Sequence, residues 1–457
     1  MASCMGRVLR VGGAAAAAAA LTVLKPAARH CSRQRTSVFI PRRFSHGARS
    51  SLYEHVREGY SDKPELDMRG VCEETDKVIA NVENRKGDLR GDDVRKIVCV
   101  WQELQTVRTE ISGLEEQKRH IAETIKALVT KNDKKALASR PEYTQALQRG
   151  REIRNRLNQL YPKETELDQE HYGRALRLPN TSHPDVPVGD ESQARVVELV
   201  GQKPEFDFKP RGHVELGEQL GLIRQRHLAH VSGHRSYYLR GTGARLQTAL
   251  QNFALDTLQR RGFIPMVVPD MLKGAVFEGC GMPPNAHRSQ VYSLDPARFP
   301  DLNLAGTGEV GVAGYFMDHA VNWADLPVRT VCSSTCYRAE TDTGRETWGL
   351  YRVHHFNKIS SGSNCTDYQS RRLNILYERE DGSLQYAHTV NATACAIPRT
   401  IIAILETHQT KEGTVRVPRA LQPYLGLEVI EKPKYTPLKY IGPNQPNRPP
   451  RPAPKTR

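Results

Sequence analysis

Residues 328–358 (VRTVCSSTCYRAETDTGRETWGLYRVHHFNK) constrain the fold most, because they join two strand-like segments through a polar loop. Val328–Tyr337 is rich in Val, Thr, Cys and Tyr, residue types that suit a pleated sheet. Thr341–Gly349 is polar and contains two glycines, and Leu350–Phe356 is strand-like again. The pattern predicts a β-hairpin.

Alternation of side chains along the two strands brings charged and aromatic residues together. We expect Arg338 and Glu340 on one face of the first strand, and Arg352, His354 and Phe356 on one face of the second. Guanidinium groups suit phosphate, and an aromatic ring can stack on a base. The hairpin is therefore a candidate nucleotide-binding site. The alternative interpretation of the same pattern is a hairpin with scattered surface charges and no ligand.

The N-terminus is strongly basic. The chain has 457 residues and a formal charge of +15, but residues 1–50 hold nine Lys/Arg and no acid. With an alanine run at Ala14–Ala20, this composition is typical of a mitochondrial transit peptide, which we assign to residues 1–45. A secretory signal is the alternative. The rest of the chain, after residue 50, has 57 basic residues (66 minus nine) and 51 acidic residues, which gives a formal charge of +6.

The cysteines and the apolar segments exclude some function classes. The nine cysteines are scattered without a CxxC pair, which argues against a zinc ribbon. Cys332 and Cys336 share one strand face and are expected to pack as free thiols. No segment after residue 50 approaches the roughly 18 apolar residues of a membrane span.

Two long helices are predicted between residues 93 and 167. Apolar residues recur at helical spacing, first Val94, Ile97, Trp101, Leu104, Ile111, Leu114, Ile121, Ile125 and Leu128, then Tyr143, Leu147, Ile153, Leu157, Leu160 and Leu167. A polar link at residues 131–135 separates them, and Tyr161-Pro162 should kink or interrupt the second. The pattern indicates an antiparallel helical hairpin projecting from the body.

One face of this hairpin is basic. Its candidate contacts to a nucleic-acid backbone are Lys118, Arg119, Arg149, Arg151, Arg154 and Arg156. A dimerising coiled coil with solvated charges explains the segment equally well. The tail, residues 442–457, has six prolines and four Lys/Arg and is expected to be extended.

The body carries ordered sequence blocks that resemble a known family. Gly243–Gln259 is amphipathic and helical, followed by a strand at Ile264–Val268; this resembles motif 1 of class II aminoacyl-tRNA synthetases, a dimer element. Residues 328–358 resemble motif 2, and Asn391–Glu406 resembles motif 3. The blocks HVELGE, AGTGE, CYRAETDTGRETWGLYRVHHF and NATACAIPR resemble seryl-tRNA synthetases, and the N-terminus points to a mitochondrial member.

The resemblance implies an α+β fold and a set of roles. The fold combines a tRNA-binding helical arm (46–178) with a class II antiparallel sheet flanked by helices (179–441). The activity would be ATP- and Mg²⁺-dependent ligation of L-serine to serine tRNA by a homodimer in the mitochondrial matrix. Catalysis would involve Arg338 and Arg399. ATP would meet Arg338, Glu340, Arg352, Val353, Phe356, Ile359, Ser360, Ser361 and Arg399, and serine would meet Thr307, Gly308, Glu309, Arg338, Asn391 and Thr393.

The chain departs from the family between motifs 2 and 3. Arg338 and Arg399 are 399 − 338 = 61 positions apart, several tens fewer than the family needs. The resemblance stops at Lys358 and resumes at Ile359, omitting a strand, a helix and two glutamates, one that selects serine's hydroxyl and one that binds ATP and Mg²⁺. We therefore expect an incomplete sheet and impaired serylation. The alternatives are a non-catalytic tRNA-binding or dimerising isoform and a scaffold without an RNA role.

Overall fold

The computed structural model describes residues 50–131, 140–225, 228, 231–286, 289–340 and 348–434, with the side chains of 131 and 361–364 outside that description. The predicted transit peptide (1–45), the tail (442–457), most of the polar link at 131–135 and most of the loop 341–349 therefore lie outside the described residues.

The N-terminal part is helical. Its helices are α1 (Ser51–Arg57), α2 (Met68–Glu73), α3 (Thr75–Asn84), α4 (Gly91–Lys131) and α5 (Pro141–Ala175). The two long helices α4 and α5 pack against each other, as the spacing of apolar residues predicts. Pro141 stands in the first turn of α5, where its missing N–H would have no intrahelical partner.

The apolar contact between α4 and α5 is concentrated near the base of the arm. Val100, Leu104 and Val107 are buried against Leu160 and Leu167, whereas Ile121, Ile125 and Leu128 are only half-buried. Helix α5 continues through Pro162, so the expected interruption there is wrong. Packing along α4 offsets the single backbone hydrogen bond that a proline removes.

The arm is tied to the body by buried polar contacts. Glu278 accepts hydrogen bonds from the Leu52 N–H (2.9 Å) and the Ser50 hydroxyl (2.7 Å). The buried Arg372 donates to the carbonyl oxygens of Leu176 (3.2 Å) and Leu178 (3.0 Å). The end of α5 is thus held against the body by a buried cation.

The body alternates short helices and strands. Its helices are α6 (His213–Gln219), α7 (Thr242–Gln259), α8 (Gly274–Gly279), α9 (Gly308–Phe316), α10 (Tyr368–Leu373), α11 (Ile397–Thr407) and α12 (Gln422–Leu425). Its strands are β1 (Ile223–Arg224), β2 (Tyr238–Leu239), β3 (Ile264–Met266), β4 (Met271–Lys273), β5 (Tyr292–Ser293), β6 (Leu302–Leu304), β7 (Ala320–Asn322), β8 (Thr330–Tyr337), β9 (His355–Asn364), β10 (Leu376–Glu378), β11 (Leu384–Tyr386), β12 (Val390–Ala396), β13 (Val415–Arg416) and β14 (Val429–Ile430).

The central sheet has the strand order β12-β9-β8-β3. Strands β12, β9 and β8 pair antiparallel, while β3 pairs with β8 in parallel. Strands β11, β10 and β7 form a separate three-stranded sheet. The combination of a helical arm and mainly antiparallel sheets confirms the α+β prediction.

One face of the central sheet packs against α7 and α11, and the other packs against α9. Val331 and Ile359 point into a core formed with Leu246 of α7 and with Ile397 and Ile401 of α11. Their neighbours along the strands point the opposite way, toward α9. Within the described part of the chain, no helix is long and apolar enough to span a membrane.

Candidate active site

The β8–β9 hairpin sets the geometry of the site. Its pairs include Cys336 with Phe356, Ser334 with Lys358, and Cys332 with Ser360. Because side chains alternate, Phe356, Lys358 and Ser360 lie in a row on the face opposite the core. This row links the predicted nucleotide cradle to the predicted amino-acid pocket.

The predicted cradle is assembled. The Arg338 guanidinium carbon lies 5.2 Å from the centre of the Phe356 ring, within cation–π range. Arg352 Nη1 lies 3.4 Å from Glu340 Oε2, and the Glu340 side chain is only 4% exposed. Arg338 and Glu340 follow the last residue of β8, and Arg352 precedes β9, so these two pairs lie at the end of the hairpin and not on the strand faces where they were expected.

The second strand, however, begins later than predicted. Leu350–His354 forms turns and bends, and β9 starts at His355, so the strand assignment at Leu350–Phe356 and its simple alternation are wrong. Gly349 has φ +63°, and an added Cβ there would lie 2.0 Å from His213 Nε2. The chain therefore turns against His213 before it enters the sheet.

His213 anchors this turn from a distant part of the sequence. Its Nε2 accepts a hydrogen bond from the Leu350 N–H (3.1 Å), and its Nδ1 lies 2.7 Å from Glu406 Oε1. The ring is fully buried, and burial lowers the pKa of His213 while Glu406 opposes that effect. A neutral ring with the proton on Nδ1 satisfies both contacts.

The predicted serine ligands lie at the start of α9. Helix α9 approaches the sheet closely at Gly308, where an added Cβ would lie 2.6 Å from both Cys332 Sγ and Ser334 Oγ. This approach places Thr307 and Glu309 beside Lys358 of β9. Arg338 Nε also donates to the Gly306 carbonyl oxygen (3.2 Å), which joins the cradle to this segment.

Lys358 is the centre of this second group. Its ammonium group donates to Thr307 Oγ1 (2.5 Å) and to both carboxylate oxygens of Glu309 (3.1 and 3.0 Å). The lysine side chain is 7% exposed and the glutamate side chain 14%. Lys358 was not among the predicted site residues, although its position two residues after Phe356 on one strand would have revealed it.

A cavity of about 560 Å³ opens beside Glu309. Ser360, Gln369 and Asn391 line it together with apolar side chains from α9, β7 and β10. Its volume falls in the range of sites for drug-sized ligands. The predicted serine ligand Asn391 therefore lies at the same cavity as Glu309, with its amide donating to Gln369 (3.0 Å).

The predicted motif 3 arginine lies at the other side of the hairpin. Arg399 is in the first turn of α11 and is exposed, and its Nε donates to the Tyr351 carbonyl oxygen (3.3 Å). It therefore contacts the turn that carries Arg352.

Some predicted residues are placed differently. Val353 and Ile359 are buried, so a nucleotide could meet only their backbone. Thr393 is exposed on β12, where it pairs with Ser360, and does not line the cavity. The Ser361 side chain lies outside the described residues.

Comparison with known proteins decides the family. The chain is 53% identical to the mitochondrial serine–tRNA ligase of Mus musculus, over 88% of this chain and 90% of that protein. It is 34% identical to the serine–tRNA ligase of Clavibacter michiganensis, over 80% of this chain and 98% of that protein. The chain belongs to the serine–tRNA ligase family.

A solved structure agrees with this assignment to the serine–tRNA ligases. The seryl-tRNA synthetase of Pyrococcus horikoshii, solved in complex with ATP, matches with a TM-score of 0.73 and 28% identity. The match covers 81% of this chain and all of that one. A search against family models found no match.

The lengths of these alignments also measure a gap. The alignment with the mouse ligase spans 469 positions, but 88% of 457 residues is about 402, so about 67 positions have no counterpart in this chain. For the Clavibacter ligase, 435 positions against about 366 residues leave about 69. This serine–tRNA ligase is therefore shorter than its relatives within the aligned region.

The arm cations of this ligase are largely paired. The predicted tRNA contacts Lys118, Arg119, Arg149 and Arg156 form ion pairs with Glu115, Glu116, Glu152 and Glu110, respectively. Arg151 and Arg154 form no ion pair with any residue of the described ranges. Four of the six predicted cations are thus exposed but balanced by neighbouring carboxylates, and tRNA binding there stays a prediction.

Cys332 and Cys336 of β8 are buried free thiols, and burial raises the pKa of Cys332 to about 11.

Among the described residues, no group of three or more His, Cys, Asp or Glu side chains could hold a metal ion. Glu340, the carboxylate of the cradle, is already paired with Arg352, so these residues do not fit a Mg²⁺ site built from protein carboxylates.

Proposed function

We propose that this chain is built for ATP-dependent ligation of L-serine to mitochondrial serine tRNA, and that its shortened catalytic half performs this reaction poorly. The observation that carries the first part is the cradle. Arg338 lies 5.2 Å from Phe356, and Arg352 lies 3.4 Å from Glu340. A related synthetase of known structure was solved with ATP.

The cradle supplies positioning and charge neutralisation. In the first step, a serine carboxylate oxygen would attack the α-phosphorus of ATP, and pyrophosphate would leave. Arg338 would bind the α-phosphate and the serine carboxylate with its fork of donors, a geometry that lysine lacks. Phe356 would stack on adenine, Glu340 would accept from its amino group, and Arg352 with Arg399 would bind the outer phosphates.

In the second step, a ribose hydroxyl at the 3′ end of tRNA would attack the seryl carbonyl carbon, and AMP would leave. No protein residue is assigned as a base. Mg²⁺ would enter with ATP, since Glu340 is already paired with Arg352 and the described residues include no group of side chains that could hold the ion.

The proposed impairment rests on the cavity. Of its lining residues in the described chain, Glu309 alone carries a carboxylate, and both oxygens of that carboxylate accept from Lys358. Selection of serine by a charge-assisted hydrogen bond to its hydroxyl would need a second carboxylate, which the described lining does not supply. The gap of about 67 aligned positions supports the loss of the segment that would have supplied it.

Serine-dependent ATP–pyrophosphate exchange tests this proposal. We expect exchange far below that of a full-length relative measured in parallel, and Arg338→Ala should abolish what remains because it removes the bidentate group. Exchange close to that of the relative would refute the impairment. Complete absence of exchange together with absence of tRNA binding would count against the ligase architecture as well.

A second candidate function is a non-catalytic isoform that binds tRNA or dimerises. The intact pairing of α4 with α5 favours it, since the arm does not depend on the shortened region. A gel shift with mitochondrial serine tRNA, without exchange activity, would support it. Charge reversal of Arg151 and Arg154 should weaken the shift. Reversal of the exposed Arg195 and Lys203, which form no ion pair with the described residues, is the matched control.

We also propose a homodimer in the mitochondrial matrix. Strand β3 is the edge of the central sheet, and the adjoining apolar residues Ile264 and Val267 are 58% and 97% exposed. An apolar sheet edge of this kind is typical of a covered interface. Sedimentation should show a dimer, and Val267→Lys should shift it toward monomer. Fractionation of cells should recover the chain with the matrix.

A further inference from the structure

His213 is a buried residue to which the proposed reaction assigns no task. It is the first residue of the HVELGE block and of α6, and its side chain is fully buried. Its two ring nitrogens face two different parts of the body. Nε2 accepts from the Leu350 N–H (3.1 Å), and Nδ1 lies 2.7 Å from Oε1 of Glu406 in the last turn of α11. The ring thus joins the turn before β9 to the helix that carries Arg399.

The turn is packed closely around this ring. The rings of Trp348 and Tyr351 both lie edge-on to the imidazole of His213, with centroid separations of 4.9 and 5.1 Å. Between them in sequence, the Leu350 side chain is 1% exposed and belongs to the core on the α7 and α11 side of the sheet. The imidazole therefore contacts the turn through its backbone and through two side chains, so the turn cannot shift without losing contacts to His213.

Both ends of α11 hold this turn. In the first turn of α11, Arg399 donates from Nε to the Tyr351 carbonyl oxygen (3.3 Å). About two helical turns further along, Glu406 holds the ring that accepts from the Leu350 N–H. Arg352 is the next residue after Tyr351. The two arginines assigned to the outer phosphates of ATP are thus aligned with each other through the backbone of this turn.

We infer that His213 is a positioning residue for the outer phosphates of ATP, which by accepting from the Leu350 N–H fixes the turn that carries Arg352 beside Arg399. This inference rests on the proposed function, because it treats those two arginines as phosphate ligands. The ring is fully buried and acts on the nucleotide only through the turn. A guanidinium binds phosphate well only when its donors are aligned with the oxygens, so a small shift of the turn lowers the affinity for ATP.

Two substitutions of His213 separate the two contacts of its ring. In His213→Asn, the side-chain amide can still donate to Glu406, but the side chain is too short to reach the Leu350 N–H. In His213→Gln, the amide oxygen is as many bonds from the backbone as Nε2 and can still accept from Leu350. We therefore expect the asparagine variant to lose the alignment of the phosphate ligands and the glutamine variant to keep it.

Titration of the full folded chain with ATP and, separately, with AMP in the same magnesium-containing buffer measures the effect. AMP lacks the outer phosphates and so reports on the rest of the cradle. We expect His213→Asn to weaken ATP binding about tenfold, the equivalent of one hydrogen bond to a charged group, and AMP binding less than about twofold. His213→Gln should bind both nucleotides within about twofold of the unaltered chain.

His171→Asn is the matched control. His171 is also buried, at 1% exposed, but lies on α5 in the arm base. The same substitution there removes a buried imidazole far along the chain from the turn, and the affinities for ATP and AMP should both equal those of the unaltered chain.

Glu406→Ala is the second variant if His213→Asn does not fold. The Glu406 side chain is 33% exposed, and its removal leaves the ring of His213 without the partner that fixes its tautomer. We expect ATP binding at least about threefold weaker, with AMP binding unchanged. Equal losses for ATP and AMP, or an unchanged ATP affinity in a folded variant, would overturn the inference and leave the proposed function standing. Absence of ATP and AMP binding by the unaltered chain would overturn the proposed function together with the inference.

Discussion

Protonation of His171 should weaken the base of the helical arm in acid. His171 lies on α5 and is 1% exposed, with its ring 4.8 Å from that of Trp101 and 5.3 Å from that of Tyr172. Burial lowers its pKa to about 4, an effect that Asp168 opposes and Arg108 reinforces. The folded state therefore keeps this ring neutral at a pH where the unfolded chain would bind a proton.

The sign and size of the effect follow from the two pKa values. Stability from the neutral ring is fully present above the unfolded pKa of 6.5 and is lost as the pH falls toward the folded pKa of about 4. At about 1.4 kcal/mol per pKa unit, the full loss is about 3 kcal/mol. At pH 5 it is about 2 kcal/mol, since the unfolded state is then mostly protonated and the folded state mostly is not.

His171→Phe isolates this contribution. Phenylalanine keeps an aromatic ring against Trp101 and does not titrate, and no hydrogen bond of His171 Nδ1 to the described residues is lost. With Trp323 and Trp348 replaced by phenylalanine, fluorescence of Trp101 reports on the arm base. Denaturant unfolding at pH 7.5 and pH 5 should show the variant gaining about 2 kcal/mol relative to the parent. Equal decreases in the free energy of unfolding of the variant and the parent between pH 7.5 and pH 5 would refute the reasoning. A pKa of His171 near 6.5, measured by NMR, would refute it as well.

Three further predictions concern the central sheet and its turn. Gly308→Ala should cost about 1–3 kcal/mol of stability in denaturant unfolding, because its Cβ would lie 2.6 Å from Cys332 Sγ; Gly113→Ala, in a helix with open space around it, should cost nothing. At pH 8, Cys332 should react with a thiol reagent at least about a hundredfold more slowly than Cys99, the exposed cysteine of α4, because the pKa of Cys332 is raised to about 11. Equal reaction rates of the two thiols would contradict the burial of Cys332. His213→Phe should speed hydrogen exchange of the Leu350 amide, which donates to His213 Nε2 at 3.1 Å, and should cost about 1–3 kcal/mol; unchanged exchange would show that the turn does not depend on this bond.

The arm and the first strand of the hairpin could be predicted because their signals are local. Helical spacing of apolar residues depends only on neighbours within a few turns, and it placed α4 and α5 correctly. The composition of Val328–Tyr337 likewise predicted β8. Continuation of α5 through Pro162 was missed, since it depends on packing against a helix more than thirty residues away.

The details of the site could not be predicted in the same way, because distant residues decide them. The start of β9 is set by His213, which lies 137 residues before Leu350. The role of Lys358 depends on the approach of α9, which in turn needs a glycine at position 308. Motifs could predict the identities of the cradle residues, whereas the pairing of Lys358 with Thr307 and Glu309 depends on the packing of a helix on a sheet.

The predicted junction after Lys358 lies inside a continuous strand. Strand β9 pairs with β8 on both sides of it, from Tyr337 with His355 to Cys332 with Ser360. The other edge of β9 is less regular, since its pairing with β12 shifts register twice, around Thr393. A strand can satisfy one neighbour across such a junction because backbone hydrogen bonds do not depend on side-chain identity.

The two halves of the site therefore differ in how much they depend on the missing positions. Arg338 and Glu340 follow the end of β8, and Phe356 lies near the start of β9, so all three precede the junction. The pocket at Glu309 also needs Ser360 and Asn391, which follow the junction. We propose that the missing segment lay between them, in which case its loss leaves the cradle residues in place and changes the pocket. This asymmetry predicts that the chain keeps more of its affinity for ATP than of its affinity for serine, relative to a full-length family member. Titration of the folded protein with ATP alone, and with L-serine alone, measures the two affinities. Equal losses of both would show that the cradle also depends on the missing segment.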